Sequence, residues 1–129
     1  RHLRELQRRM TLPTVATARK GIPIYSGCIA YFPDALAAVA ELSRIGNEQH
    51  NPGKPLHWDR SKSGDELDAL TRHLFEAGTV DTDGVRHATK VAWRALANLQ
   101  KELEAAAKQK DIEAAQAAKI APAEGAKQK

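Results

Sequence analysis

Ser63-Gly64-Asp65-Glu66-Leu67-Asp68-Ala69-Leu70-Thr71-Arg72-His73-Leu74 is the stretch that decides how the chain is read. Ser63 followed three residues later by Glu66 is a capping-box pattern. The hydroxyl can serve the first-turn amides while the carboxylate returns to the Ser63 amide. The spacing predicts a helix over 63–77, closed by Ala77-Gly78. Leu67, Leu70 and Leu74 fall at i, i+3 and i+7 and form one apolar stripe, the expected packing edge. Asp65, Asp68 and Arg72 repeat that spacing on another stripe. One edge packs; the other can hold a metal ion or an anion.

Working outward, residues 50–62 read as a polar loop with one aromatic, Trp58. Before it, Pro33-Asp34 opens a helix over roughly 34–49, with Leu36, Val39 and Ala40 on its packing side. Glu41 sits inside the apolar run 35–42, and a carboxylate buried there needs compensation. Gly46 weakens this helix and Asn51-Pro52-Gly53 stops it. After the central helix, Asp81 and Asp83 mark a turn ending at Gly84. A long helix follows from near Val85, where Val85, Ala88, Ala92, Ala95, Leu99, Leu103 and Ala106 recur at steps of three and four. At ~1.5 Å per residue, residues 85–103 make a rod of about 28 Å.

The ends differ in character. Residues 2–10 can form a short basic helix. Residues 11–33 carry Pro13, Gly21, Pro23, Gly27 and Pro33, which argue for an extended entry segment with a weakly signalled hairpin at Ser26-Gly27. Ile22, Ile24, Tyr25, Ile29, Tyr31 and Phe32 are its expected anchors in the core. Beyond Ala105 the sequence is alanine, lysine, glutamine and glutamate, with Pro122 and Gly125 as breakers before a disordered end. The expected layout is a basic N-terminal segment (1–20), a helical domain (21–104) and an Ala/Lys-rich tail (105–129).

Aromatics make up only 5% of the chain, and much of its 42% hydrophobic content is alanine, which favours close-packed helices over sheets. The expected fold class is therefore all-α. The net charge of +4 and pI of about 9.4 suit a nucleic-acid or phosphate-bearing partner without choosing between them. Cys28 is the single cysteine, so an internal disulfide and a thiolate zinc site are both excluded. That fits a reducing cytoplasm. No membrane span and no secretory signal are expected.

The acids Glu41, Glu48, Asp65, Glu66 and Asp68 on the two inner helices suit Mg²⁺ or Mn²⁺, which take oxygen ligands. Ordinary solvated pairs at i, i+3 are the competing reading, and Glu66 suits the cap better than a ligand role. Arg72 either pairs with Asp68 or meets a phosphate. Lys90 and Arg94, four apart, are phosphate donors if their face turns inward. Trp58 either stacks on a base or covers a core edge. His73 reads as a hydrogen-bonded packing residue before a ligand, and Trp93 as core. No phosphate-cradling glycine loop or nucleophile–His–Asp set is present, which leaves metal-assisted attack by water as the natural chemistry.

Ala40-Glu41, Gly46, Asn51 and Trp58, then Asp68-Ala69-x-x-Arg72-His73-Leu74, then Asp81-x-Asp83-Gly84-x-x-His87 and Ala92-Trp93-Arg94-Ala95-Leu96, form a series over roughly residues 20–104. That series resembles the phage-type dATP/dGTP diphosphohydrolases, which stand with the MazG-like all-α nucleoside triphosphate pyrophosphohydrolases. The resemblance implies a bundle of about four helices, assembled as a homodimer or homotetramer. It implies cleavage of a purine deoxynucleoside triphosphate (dGTP or dATP) between the α- and β-phosphates, giving a monophosphate and pyrophosphate. It implies two or three Mg²⁺ or Mn²⁺ ions on Glu41, Glu48, Asp65 and Asp68, with Glu41, Glu48 and Asp68 as the catalytic acids. Arg72, Lys90 and Arg94 would then meet phosphate, and Asn51 and Trp58 the base. The place of action would be the cytoplasm, the host's where the chain is phage-encoded.

The match has departures. Arg44 stands where the second acid of a Glu-x-x-Glu pair is usual, with Glu48 as a displaced substitute, and Asp65 stands where Glu is usual. Lys90 and Arg94 replace an expected His and Asn. The alternative is a basic helical module that binds nucleic acid or a protein partner without catalysis, its affinity falling with salt and indifferent to divalent metal. Under the enzyme reading nucleic acid is not an expected partner. A relative that binds nucleotide without turnover is the third possibility.

Overall fold

The computed structural model describes the backbone of residues 12–127 and the side chains of residues 12–120. The basic segment 2–10 lies outside the described residues. The fold is all-α, as the composition and periodicity predict: four α-helices, with an isolated bridge between Val80 and Arg86 as the one β feature among the described residues. No single described helix is long and apolar enough to cross a membrane.

The chain divides into two units, one centred on residues 14–98 and one that includes residues 99–129. In the first, helix α1 spans Ala16–Lys20 and a π-helical turn spans Tyr25–Ile29. That turn replaces the hairpin suggested at Ser26-Gly27. The turn is tight at Gly27, where a Cβ would stand 3.1 Å from the Pro23 ring and push on it. Helix α2 spans Pro33–His50, with Pro33 in the first turn, where its missing amide proton costs nothing. A 3₁₀ turn spans Arg60–Lys62, helix α3 spans Glu66–Phe75, and helix α4 spans His87–Lys127.

In the second unit α4 continues without interruption through Pro122 and Gly125. The alanine-rich run keeps helical geometry past Pro122 at the expense of the one hydrogen bond that proline cannot donate.

Two expectations about α3 are overturned. Helix α3 starts at Glu66, with Asp65 as its N-cap, and not at Ser63. Its packing edge is not the leucine stripe. Leu67 and Leu74 are 60% and 54% exposed, whereas Ala69 and Glu66 are 2% and 5% exposed. Residues 66, 69 and 73 form the i, i+3, i+7 stripe that turns inward, toward the face of α4 that carries His87 and Arg94. Two contacts fix the pairing as antiparallel: Arg94 meets Glu66 at 3.6 Å and His87 meets His73 at 2.9 Å. A stripe with alanine at its centre lets two helices approach more closely than one of leucines.

The entry-segment anchors are likewise exposed in the single chain: Ile22, Ile24, Tyr25, Ile29, Tyr31 and Phe32 all face outward. The buried apolar residues among those described are Ala69, Val85 and Ala97.

Helix α2 is tied to α4 by a side-chain hydrogen bond, Trp93 Nε1 donating to Ser43 Oγ at 2.9 Å. Trp58 from the loop packs edge-on against Trp93, with ring centroids 5.6 Å apart. Arg60 lies over the Trp58 ring at 4.0 Å. The loop thus closes over the place where α2 and α4 meet.

Candidate functional site

The turn between α3 and α4 is built by its own side chains. Asp81 Oδ1 accepts from the Thr82 amide at 2.7 Å, and Asp83 Oδ1 accepts from the Val85 amide at 3.0 Å. The Gly84 amide donates to the Asp81 carbonyl, and Gly84 stands at φ +81°, a left-handed conformation that costs other residues energy. The Asp81 amide then bonds the Val85 carbonyl, and the His87 amide bonds the Thr79 carbonyl. The turn holds one oxygen of each aspartate against backbone and leaves the other, Oδ2, directed at α4.

Lys90 receives both. Its Nζ lies 2.7 Å from Asp81 Oδ2 and 2.7 Å from Asp83 Oδ2. Burial works against the Lys90 ammonium, but the two carboxylates outweigh it and its pKa stands above the usual lysine value. The Lys90 hydrogen bond, with the Thr82 amide, brings Asp81 down to about 2. Asp83 is lowered by Lys90 and the Val85 amide.

One turn earlier on α4, His87 is buried and its Nδ1 lies 2.9 Å from Nδ1 of His73. One ring therefore donates and the other accepts. Burial, followed by the positive charge of Lys90, lowers the pKa of His73 and keeps its imidazole neutral. On its other side His87 faces Glu76, with Nε2 to Oε2 at 3.7 Å. Asp81 Oδ2 completes the group at 4.0 Å from His87 Nδ1. His73, Asp81 and His87 are the one group of three metal-capable side chains among the described residues, with ligand atoms within 4.8 Å of one another.

The family model of the dATP/dGTP diphosphohydrolase N-terminal domain matches residues 19–112. The chain belongs to that family. The matched region takes in α2, α3, the aspartate turn and the part of α4 that carries His87, Lys90 and Arg94. Its description is that of a nucleotide hydrolase. No curated protein and no solved structure matches the chain.

Within this family member, the residues singled out from sequence are distributed as follows. Glu41 and Glu48 stand on one exposed stripe of α2, and Arg44 between them binds both: its Nη2 pairs with Glu41 and its Nη1 with Glu48 at 2.7 Å. Arg44 holds the Glu41 carboxyl below its ordinary pKa. At ~100° per residue, Ser43 lies about 200° round the helix from Glu41. The acid stripe therefore points away from the side of α2 that Trp93 grips.

Asp65, Asp68 and Arg72 do share an exposed edge of α3. Arg72 Nη2 reaches Asp65 Oδ2 at 3.2 Å and, with Arg94 nearby, lowers its pKa. The partner of Arg72 is Asp65, seven residues back, and not Asp68. Arg94 lies between this edge and Glu66, and 5.5 Å from the Trp93 ring. Asn51 ends α2, its amide bonding the Asn47 carbonyl. Trp58 covers Trp93 and is half-buried. The four carboxylates Glu41, Glu48, Asp65 and Asp68 do not gather three ligand atoms within 4.8 Å among the described residues.

Sequence reasoning placed Asp81 in a turn and His87 in the family-like series without a ligand role for either, and read His73 as packing before ligand. The signal was present as a pair: an Asp-x-Asp-Gly turn three residues before one histidine, and a second histidine at the end of the preceding helix. Only the antiparallel pairing of α3 and α4 turns that pair into a cluster.

Proposed function

We propose that this chain hydrolyses a purine deoxynucleoside triphosphate, dGTP or dATP, to the monophosphate and pyrophosphate, in the cytoplasm and with a divalent cation. The observation that carries this reading is the family match over residues 19–112, which takes in α2, α3 and the part of α4 within the 14–98 unit.

The Mg²⁺ or Mn²⁺ implied by the resemblance does not fit the four carboxylates as they stand in a single chain. Arg44 closes off Glu41 and Glu48, and Arg72 closes off Asp65. The steps below are therefore derived from the side chains alone. Arg72 and Arg94 offer guanidinium forks beside the start of α3, where the helix end also favours negative charge. A triphosphate arriving there exchanges places with the Asp65 carboxylate on Arg72. Asp68, on the same exposed edge, is the acid with no arginine on it among the described contacts. In this reading Asp68 takes up the proton of the attacking water.

A second chain belongs to this reading. Leu67, Leu74, Phe75 and the entry-segment aromatics leave apolar surface that the small core of one chain does not cover. Association as a homodimer or homotetramer would cover it.

The experiment is an assay of the purified chain with each deoxynucleoside triphosphate, with and without Mg²⁺ or Mn²⁺, reading pyrophosphate. Metal-dependent release from a purine substrate is expected. Asp68→Asn should lose turnover, and Arg72→Ala should raise KM. Release of orthophosphate, or full activity in Asp68→Asn, would overturn the proposal.

A further inference from the structure

We infer that His73, Asp81 and His87 form a binding site for one divalent transition-metal ion, which Lys90 occupies in its place when the ion is absent. The inference goes beyond the nucleotide chemistry and does not depend on it.

The donor chemistry selects the class of ion. Two imidazoles and one carboxylate suit Mn²⁺, Fe²⁺, Co²⁺, Ni²⁺ or Zn²⁺, and not Mg²⁺, which takes oxygen ligands and keeps its waters. The geometry agrees at the histidines. With metal–nitrogen bonds of ~2.0–2.1 Å, two ligands at right angles stand ~2.9 Å apart. The two Nδ1 atoms are 2.9 Å apart. Both rings thus aim the same nitrogen at one place, where a single shared proton now serves. For an ion to bind, the donating ring changes tautomer, its proton moving from Nδ1 to Nε2, so that both rings present a neutral Nδ1.

The surroundings are those of a built site. His87 is 4% exposed. Its far nitrogen faces the Glu76 carboxylate at 3.7 Å, the arrangement that orients a metal-bound imidazole. The carboxylate side is held as well. Asp81 Oδ1 is fixed by the Thr82 amide, so Oδ2 is the atom free to turn. That oxygen is 4.0 Å from His87 Nδ1, about 1 Å beyond the spacing of neighbouring ligands. Lys90 holds it there at 2.7 Å. Lys90 also has Asp83 at 2.7 Å, so it can release Asp81 without losing its counter-charge. The ammonium already supplies positive charge to the same Asp81 oxygen that an ion would bind.

The test is a titration of the full, tag-free chain with Co²⁺, following the visible absorption of the bound ion, without nucleotide. One equivalent should bind and survive a hundredfold excess of Mg²⁺. His73→Gln and Asp81→Asn should each weaken binding tenfold or more, with helix content unchanged by circular dichroism. Lys90→Met should bind Co²⁺ at least as tightly as the parent chain. Glu41→Gln should leave binding unaltered.

Absence of a bound-cobalt spectrum overturns the inference. So does undiminished binding in folded His73→Gln, or loss of binding in Glu41→Gln. His73 is chosen over the more buried His87 so that the variant folds. A chain that releases pyrophosphate from dGTP but does not bind cobalt refutes this inference alone. One that binds cobalt at these residues but leaves every nucleotide intact refutes only the proposed reaction.

Discussion

Ala69→Leu tests the pairing of α3 with α4 more directly than any change at the charged residues. Ala69 is 2% exposed and sits at the centre of the inward stripe, between the Glu66–Arg94 contact and the His73–His87 contact. Leucine adds three carbons where there is no room. Neither polar contact can retreat without exposing or orphaning a buried group. Overpacking of a tight core costs about 1–3 kcal/mol, and a figure of about 2 kcal/mol is reasonable here. For a domain the size of the 14–98 unit, that lowers Tm by about 8–16 °C. Leucine is nearly as good a helix former as alanine, so the loss is not one of propensity.

The assay is thermal unfolding by circular dichroism at fixed protein concentration. Thr71→Leu, an exposed position two residues on, serves as the control, and its effect should be within about 0.5 kcal/mol. Equal Tm values for the two variants would mean that α3 does not present residue 69 to α4. The candidate site would then lose its frame.

Three further outcomes follow from named contacts. Gly84→Ala forces a Cβ into a φ of +81° and should cost about 1 kcal/mol, read as a lower urea midpoint, and it should loosen Asp81 and Asp83 from Lys90. His73 has its pKa lowered below the ordinary 6.5, chiefly by burial, so the unfolded chain takes up a proton that the folded chain refuses. Stability from this group is complete above about pH 6.5 and is lost as pH falls toward the folded pKa; His73→Gln should flatten that part of the denaturation profile. Phe75→Asp, at a residue 86% exposed in the single chain, should reduce the sedimenting mass if this apolar surface is covered by a second copy. Unchanged mass would mean that another surface carries the association or that there is none.

The fold class was legible because it rests on composition and on periodicities that survive tertiary context. Pro33 and the breakers at 51–53 set the limits of α2 to within a residue or two. The packing edge of α3 was not legible. Counting hydrophobicity favours Leu67, Leu70 and Leu74, whereas the single chain buries Glu66 and Ala69 and half-buries His73. The reason is compensation: Arg94 meets the acid and His87 meets the imidazole, and neither partner can be inferred from α3 alone. The same limit hid the histidine–aspartate cluster, whose members are 8 and 6 residues apart along the chain and converge only through the glycine turn. The exposed edge of Asp65, Asp68 and Arg72 was read correctly as a stripe, although its ion pair runs to a different acid.

Both tryptophans of the chain stand against each other, edge to face, where the loop closes over α2 and α4. Their emission therefore arises from a single locality, with the Arg60 guanidinium lying on one of the rings. Any ligand, variant or solvent that parts the loop from the helices will shift the colour and intensity of that light. The protein thus carries its own optical gauge beside the Arg94 edge, and no dye need be attached to follow an opening there in real time.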